Sequence, residues 1–389
     1  MAAVSDRLPT FPWDKLEPYK KTAAAHEDGI VDLSVGTPVD PVPTLIQDAL
    51  IGAADSPGYP TVWGTPALRD AITGWLRGRL GASAAGHRNV LPVVGSKELV
   101  AWLPTQLGLG AGDKVAYPRL AYPTYEVGAR LCGAEAVVYD DPTELDPAGL
   151  KLLWLNSPSN PTGKVLGKEE LIRIVAWARE HGILVFSDEC YLELGWEAEP
   201  VSVLHDDVCG GSYEGLVAVH SLSKRSNLAG YRAAFIAGDE DVLAELLEIR
   251  KHGGMMTPAP VQAAVGGAPP RPPPPSAQNR PPPPRPPPAG PPPPPPHAHV
   301  AEQRGRYAAR REALRTALEG HGFRVEHSEA SLYLWVTRDE PCWDTVAHLA
   351  SLGILVAPGD FYGEAGANFV RVAFTATDER VEAAVKRLG

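Results

Sequence analysis

The stretch Ser221-Leu222-Ser223-Lys224-Arg225-Ser226-Asn227-Leu228-Ala229-Gly230-Tyr231-Arg232 decides how this chain is read. A lysine follows two hydroxyls, and an arginine stands eight positions after it. An amine in that setting can form a Schiff base with a phosphorylated aldehyde, while hydroxyls and a guanidinium take the phosphate. A lone lysine is more often a solvated surface group. Two motifs upstream add weight: Asn160-Pro161-Thr162-Gly163 begins 64 residues before Lys224, and Asp188-Glu189-Cys190-Tyr191 begins 36 before it.

The spacing from Asn160 to Asp188 to Lys224 to Arg232 resembles that of the class I/II aminotransferases, fold type I enzymes that use pyridoxal phosphate (PLP). The resemblance covers nearly the whole chain except residues 268–296. It implies an α/β fold, with a large domain built on a mostly parallel seven-stranded sheet and a small α+β domain. It also implies a homodimer acting on an amino acid and a 2-oxo acid. Carried onto these residues, Lys224 holds the cofactor and moves the proton, and Asp188 faces the pyridine nitrogen. Asn160 and Tyr191 donate to the cofactor's phenolate oxygen. Ser221, Ser223 and Arg232 fix the phosphate, together with the turn Gly95-Ser96-Lys97 at a helix start, where backbone N–H groups favour an anion. Tyr122 stacks on the ring, although Leu120 stands where the family usually has proline. Tyr59 crosses a dimer interface to the neighbour's phosphate. Gly36 lets backbone approach the substrate, and Arg371 binds its α-carboxylate, for which a bidentate guanidinium is suited. Lys97, whose charge opposes the helix dipole, reads a distal carboxylate. Locally each has a plainer reading: Asn160 and Gly36 as turn residues, Asp188 as a strand-end cap, Tyr59 and Tyr122 as buried or interface aromatics, Arg371 as an exposed or paired strand arginine.

Within the family, residues 255–262 and 357–363 look most like actinobacterial N-succinyldiaminopimelate aminotransferases of lysine biosynthesis. Transaminases of aspartate, alanine or aromatic amino acids would share every residue named above. A PLP-dependent C–S lyase would use the same cofactor frame. A binding protein working through a proline-rich arm would have no need of Lys224.

Composition agrees with a soluble enzyme. The chain has 389 residues, enough for two domains or one large one, and 44% are hydrophobic. Lys and Arg number 36 against 47 Asp and Glu, a net −11, which disfavours nucleic acid and anionic membrane as partners. Cys132, Cys190, Cys209 and Cys342 are scattered without a C-x-x-C pair, so free thiols in a reducing, cytoplasmic setting are expected, with no metal site. Neither a signal peptide nor a membrane-spanning run is expected.

In chain order, residues 1–40 read as an arm broken by Pro9, Pro12 and Pro18, contributing to the small domain, with Phe11, Trp13 and Tyr19 free to pack. Residues 41–265 read as the large domain. Thr65 and Pro66 cap a helix, and Pro92 keeps residues 90–94 from being a central strand. A helix from 99 to 107 is expected to kink at Pro104. Strands are expected at 115–117, 152–155, 183–186 and 216–219, around a helix at 169–180 whose apolar stripe includes Ile172. The strand–helix–strand rhythm argues a parallel sheet with ligands beyond its carboxyl ends. Residues 298–389 read as the small domain.

Residues 266–297 are different. Nineteen of the 41 prolines fall in 268–296, mixed mostly with Arg, Ala and Gly. These are residues whose codons can be written with only C and G, and a reading-frame artefact in a GC-rich gene is expected over a functional linker. Such a stretch has no apolar periodicity to offset an ordering entropy of about 1–2 kcal/mol per residue. Replacing residues 266–297 with a short helical link should keep or raise the melting temperature. A large drop would show that the segment is integrated in the fold.

Overall fold

The computed structural model describes residues 4–266 and 298–389, so the proline-rich segment lies outside the described residues. Seven strands form the larger sheet: Val90–Val93 (β1), Lys114–Pro118 (β2), Glu135–Tyr139 (β3), Leu150–Asn156 (β4), Leu184–Asp188 (β5), Leu216–Ser221 (β6) and Ala234–Gly238 (β7). Their spatial order is β1-β7-β6-β5-β4-β2-β3. Strands β3, β2, β4, β5 and β6 pair in parallel, while β7 runs antiparallel to both β6 and β1. The sheet is α/β and mostly parallel.

Both faces of this sheet are buried, and the alternation is visible residue by residue. Leu153, Leu155, Val185 and Ala218 enter one apolar cluster, while Leu152, Trp154, Phe186 and Val219 enter the cluster on the other face. A strand covered on both sides must be apolar throughout, which is why β4 and β6 read as short unbroken apolar runs. Pro92 sits in β1, an edge strand with one neighbour, so its missing N–H breaks no second ladder.

A four-stranded antiparallel sheet, in spatial order Ala357–Pro358, Val370–Ala373, Tyr333–Thr337, Arg324–Glu326, follows late in the chain. The N-terminal strand Val31–Asp32 pairs in parallel with Ile354–Leu355, and Tyr19 packs on Trp343 at 5.3 Å between ring centroids. The first and last parts of the chain therefore share one apolar cluster.

The helix Ala298–Gly320 is pinned to this assembly by buried polar contacts. Arg310 donates to both oxygens of Asp40 at 2.7 Å and to Asp378 at 2.6 Å. Gln303 and Tyr307 bond the side chain of Asn227, three residues after Lys224, at 2.9 and 3.2 Å. The helix thus buttresses the turn that carries the lysine.

Several local expectations change. The arm contains a helix, Glu17–Ala24, because Pro18 falls in its first turn, where a missing N–H costs nothing. The helix near residue 99 starts earlier, as Ser96–Gln106, and runs through Pro104 in its last turns. Ile172 is 40% exposed, so the buried stripe of Lys168–Glu180 is Leu171, Ile174, Val175 and Ala178. Strands β3 and β7 are not evident from sequence. The first is a half-exposed edge strand and the second a five-residue apolar run rich in alanine, and neither carries a decisive period. Thr65 does cap its helix, its Oγ1 accepting from the Leu68 N–H at 3.2 Å, with Pro66 at the first position.

Candidate active site

Three neighbouring parallel strands end close together: β4 at Asn156 and β5 at Asp188, directly opposite each other, and β6 two residues further on at Ser221. Just beyond the carboxyl end of β1, Gly95 opens the helix Ser96–Gln106. Ligands in such sheets lie outside the carboxyl ends of the strands. A cavity of about 460 Å³ sits there, lined by Gly36, Ser96, Lys97, Tyr122, Asn160, Asp188, Tyr191, Ser221, Ser223, Lys224, Arg232 and Arg371. Of the residues picked from sequence, only Gly95 and Tyr59 are not in its wall. Gly95 adjoins Ser96 of the wall and lies against the Arg232 guanidinium, and Tyr59 is 99% exposed, outside the cavity of this chain.

The phosphate-binding candidates cluster at one end. Gly95 has φ +81°, and a Cβ there would come within 2.7 Å of the Arg232 Cζ, so glycine is needed for the guanidinium to lie over the turn. The Ser221 Oγ accepts from the Ser223 N–H at 3.2 Å and starts the short helix Leu222–Arg225 that carries Lys224. The Lys224 Nζ donates to the Gly36 carbonyl. A Cβ on Gly36 would come within 2.6 Å of the Tyr333 ring, so that loop can approach only as glycine.

Asp188 lies at the floor, fully enclosed. Its Oδ2 accepts from the Tyr125 hydroxyl at 2.8 Å and its Oδ1 from the Cys190 N–H at 3.2 Å. Burial pushes its carboxyl above the usual range, and hydrogen bonds from Cys190 and Tyr125 oppose that push. Across the cavity Arg371, 3% exposed, donates to the Asn160 Oδ1 at 2.8 Å and the Ser34 carbonyl at 2.7 Å, with its Cζ 4.0 Å from the Tyr333 ring centroid. Its Nε is buried with no partner among the described residues, a donor left over for a ligand carboxylate.

Sequence reasoning missed several wall residues. Tyr333 bonds the Tyr191 hydroxyl at 3.0 Å, yet in sequence it is one aromatic in an apolar strand. Asn156 accepts from the Asn160 N–H at 2.8 Å and donates to the Asp188 carbonyl at 3.1 Å, tying two motifs together. Its place at the polar end of an apolar strand was the available signal. Phe11 and Trp13 of the arm line the mouth, and the Lys97 Nζ lies 5.9 Å from the ring centroids of both Phe11 and Tyr122. Among the described residues no group of His, Cys, Asp and Glu is placed to hold a metal, and no helix is long and apolar enough to cross a membrane.

The profile of the family described as "Aminotransferase class I and II" matches residues 28–388. The chain belongs to that family. It is 57% identical over 381 residues to a 4-dedimethylamino-4-oxo-anhydrotetracycline transaminase of Streptomyces rimosus, covering 98% of this chain and 99% of that one. It is also 57% identical over 385 residues to a "probable aminotransferase" of Mycobacterium tuberculosis, covering 99% and 86%. Among solved structures, a "probable N-succinyldiaminopimelate aminotransferase" from Thermus thermophilus superposes with TM-score 0.80 at 26% identity, covering 97% of this chain and 99% of that one. The chain is an aminotransferase of fold type I that uses PLP and acts on an amino acid and a 2-oxo acid. The cavity suits that cofactor: hydroxyls, a helix start and a guanidinium for an anion, a tyrosine face for a flat ring, a desolvated carboxylate for a cation, and an amine between them.

Behind Asp188 lies a buried pair that this chemistry does not use. The Glu189 Oε2 and His220 Nε2 are 3.6 Å apart and have no other hydrogen-bond partner among the described residues. Burial pushes Glu189 up to about 7 and, with the Arg225 charge adding to it, His220 down to about 3. Glu189, raised on folding, contributes stability at low pH that is lost as pH rises toward about 7. His220, depressed from 6.5, contributes stability at high pH that is lost as pH falls toward about 3. Between pH 5 and 6.5 the two slopes oppose each other. Glu189→Gln removes the first and leaves the second. Its melting temperature should therefore fall more steeply than the parent's as pH is lowered from 6.5 to 5, and parallel curves would contradict the assignment.

Proposed function

We propose that this chain transfers the amino group between N-succinyl-LL-2,6-diaminopimelate and 2-oxoglutarate, in the diaminopimelate route to lysine, as a cytoplasmic homodimer. The observation that carries this reading is a pair of cations in one cavity. Arg371 is buried and shaped for an α-carboxylate, while Lys97 stands at the mouth with no carboxylate partner among the described residues. Glutamate and a succinylated diamino acid both carry a second carboxylate that such a lysine can read. The likeness to the Thermus thermophilus protein, a "probable N-succinyldiaminopimelate aminotransferase", supports the same substrate class.

Bound in the cavity, PLP supplies the electron sink that makes the substrate Cα–H acidic and holds the amino group between half-reactions. The remaining work falls to the chain. Arg371 and Asn160 would hold the substrate by its α-carboxylate on the side of the cavity that Lys224 also lines. Lys224, whose Nζ is the amine in the cavity wall, would hold the cofactor and move the substrate's Cα proton, as base and then as acid. Asp188 would hold a positive charge on the cofactor's pyridine nitrogen. Ser96, Ser221, Ser223 and Arg232 keep the phosphate end from drifting, and such positioning can be worth up to about 7–11 kcal/mol of a barrier. Tyr191 and Asn160 would donate to the cofactor's phenolate oxygen. The exposed Tyr59, with Trp63, Leu45 and Ile51 also exposed, fits a surface that a second copy covers.

A second reading rests on the aromatic mouth. Phe11, Trp13 and Tyr122 would also receive a flat polycyclic ketone of the kind named for the Streptomyces rimosus relative. Transamination of aspartate, alanine or aromatic amino acids, and C–S lysis, are separated from these by products: a lyase releases ammonia and pyruvate, and a transaminase yields a keto acid and glutamate. The decisive kinetics concern Lys97. Lys97→Ala should cut kcat/KM for glutamate by about 10–100-fold, the loss of one charge-assisted contact, and leave alanine nearly unaffected. Equal losses for both donors, or none for either, would sink the assignment.

A further inference from the structure

The carboxylate of Asp188 is buried, and its charge and orientation depend on what the protein places behind it. Burial favours its neutral, protonated form, and a neutral acid cannot hold a cation on the pyridine nitrogen. Beside a cation at that nitrogen, donors in the protein can favour the charged form and hold the carboxylate plane steady. Cys190 contributes its N–H, 3.2 Å from Oδ1, and its weakly donating thiol. The only side-chain hydroxyl within bonding distance among the described residues is that of Tyr125, 2.8 Å from Oδ2.

Tyr125 is built into the core for that one contact. It has no exposed surface, its ring stacks on Trp154 at 5.0 Å and 27°, and its edge meets Tyr122 at 5.9 Å and 84°. Tyr122, two residues before the helix Thr124–Cys132, forms cavity wall, while Tyr125 in its first turn packs edge-on against it and reaches Asp188. We propose that Tyr125 is a positioning residue for the transamination, its hydroxyl holding Asp188 charged and oriented and so setting the basicity of the cofactor's pyridine nitrogen. A hydroxyl donating to a carboxylate stabilises the anion, the direction needed here. Burial and the neighbouring Asp188 charge push the phenol's own pKa well above its usual value, so Tyr125 remains a donor across the working pH range.

The proposal rests on Asp188 facing the pyridine nitrogen, and the test separates the two. Tyr125→Phe keeps the stacked ring and removes only the hydroxyl. Tyr125→Leu removes both, and Asp188→Asn removes the counter-charge. Each holoenzyme is titrated by its visible cofactor band, its apoenzyme is titrated with PLP, and its melting temperature is recorded. A neutral pyridine withdraws less electron density, so the midpoint of the band should move up in Asp188→Asn. It should move up by a smaller amount in Tyr125→Phe, with weaker PLP binding and kcat lower by about tenfold at a nearly unchanged KM. Tyr125→Leu should match Tyr125→Phe in midpoint while melting lower. A parental midpoint in Tyr125→Phe beside a shifted one in Asp188→Asn would overturn the proposal. So would a midpoint that follows melting temperature across the variants, or a Tyr125→Phe protein that does not fold, since either would place the hydroxyl's effect in packing. No shift in Asp188→Asn would remove the reading of Asp188 and this proposal with it.

Discussion

A buried guanidinium joins three distant parts of the chain. Arg371 comes from a strand of the small sheet, Asn160 from the loop after β4, and the Ser34 carbonyl from the loop after the N-terminal strand. Nearly all of its charge is out of water, and a buried charge is tolerated only when its donors are satisfied. Two of its nitrogens bond protein oxygens, Tyr333 and Tyr362 cover its plane at 4.0 and 4.9 Å, and one nitrogen is left over among the described residues. The larger sheet, the smaller sheet and the N-terminal segment must therefore be in register before the cavity exists.

Asp188 is the opposite charge at the other side of the same cavity. It too is desolvated, and it too is supported from behind, by Tyr125 and the Cys190 N–H. Lys224 lines the same cavity, its free amine held to the Gly36 carbonyl by a hydrogen bond that forming the link to the cofactor would release. An electron-poor ring needs a fixed anion at one end and a fixed cation for its substrate at the other. The parallel sheet supplies the anion at the end of β5 and the small antiparallel sheet supplies the cation, so both are fixed before a ligand arrives.

How much of this could be read from sequence depends on what each residue's role requires. Lys224, Asp188, Asn160 and Arg232 stand at fixed spacings because they close loops beyond consecutive strands, and spacing survives in a linear sequence. The apolar runs of β4 and β6 were legible because both their faces are buried. Tyr125 and Tyr333 were not legible, since a core tyrosine and a tyrosine aimed at a buried polar group look alike until the partner is placed. Strand β3, half exposed at the sheet edge, offered no clear period. The helix Glu17–Ala24 was hidden because Pro18 reads as a breaker until its position in the first turn is known. Lys97 stands out in sequence for a charge that opposes its helix dipole, and it does stand in the cavity wall.

The central claim is that Lys224 carries the cofactor. Borohydride reduction of the purified holoenzyme, followed by peptide mapping, tests it most directly. The account predicts loss of the visible band and a pyridoxyl group on the peptide containing Lys224. A pyridoxyl group on a different lysine would contradict it.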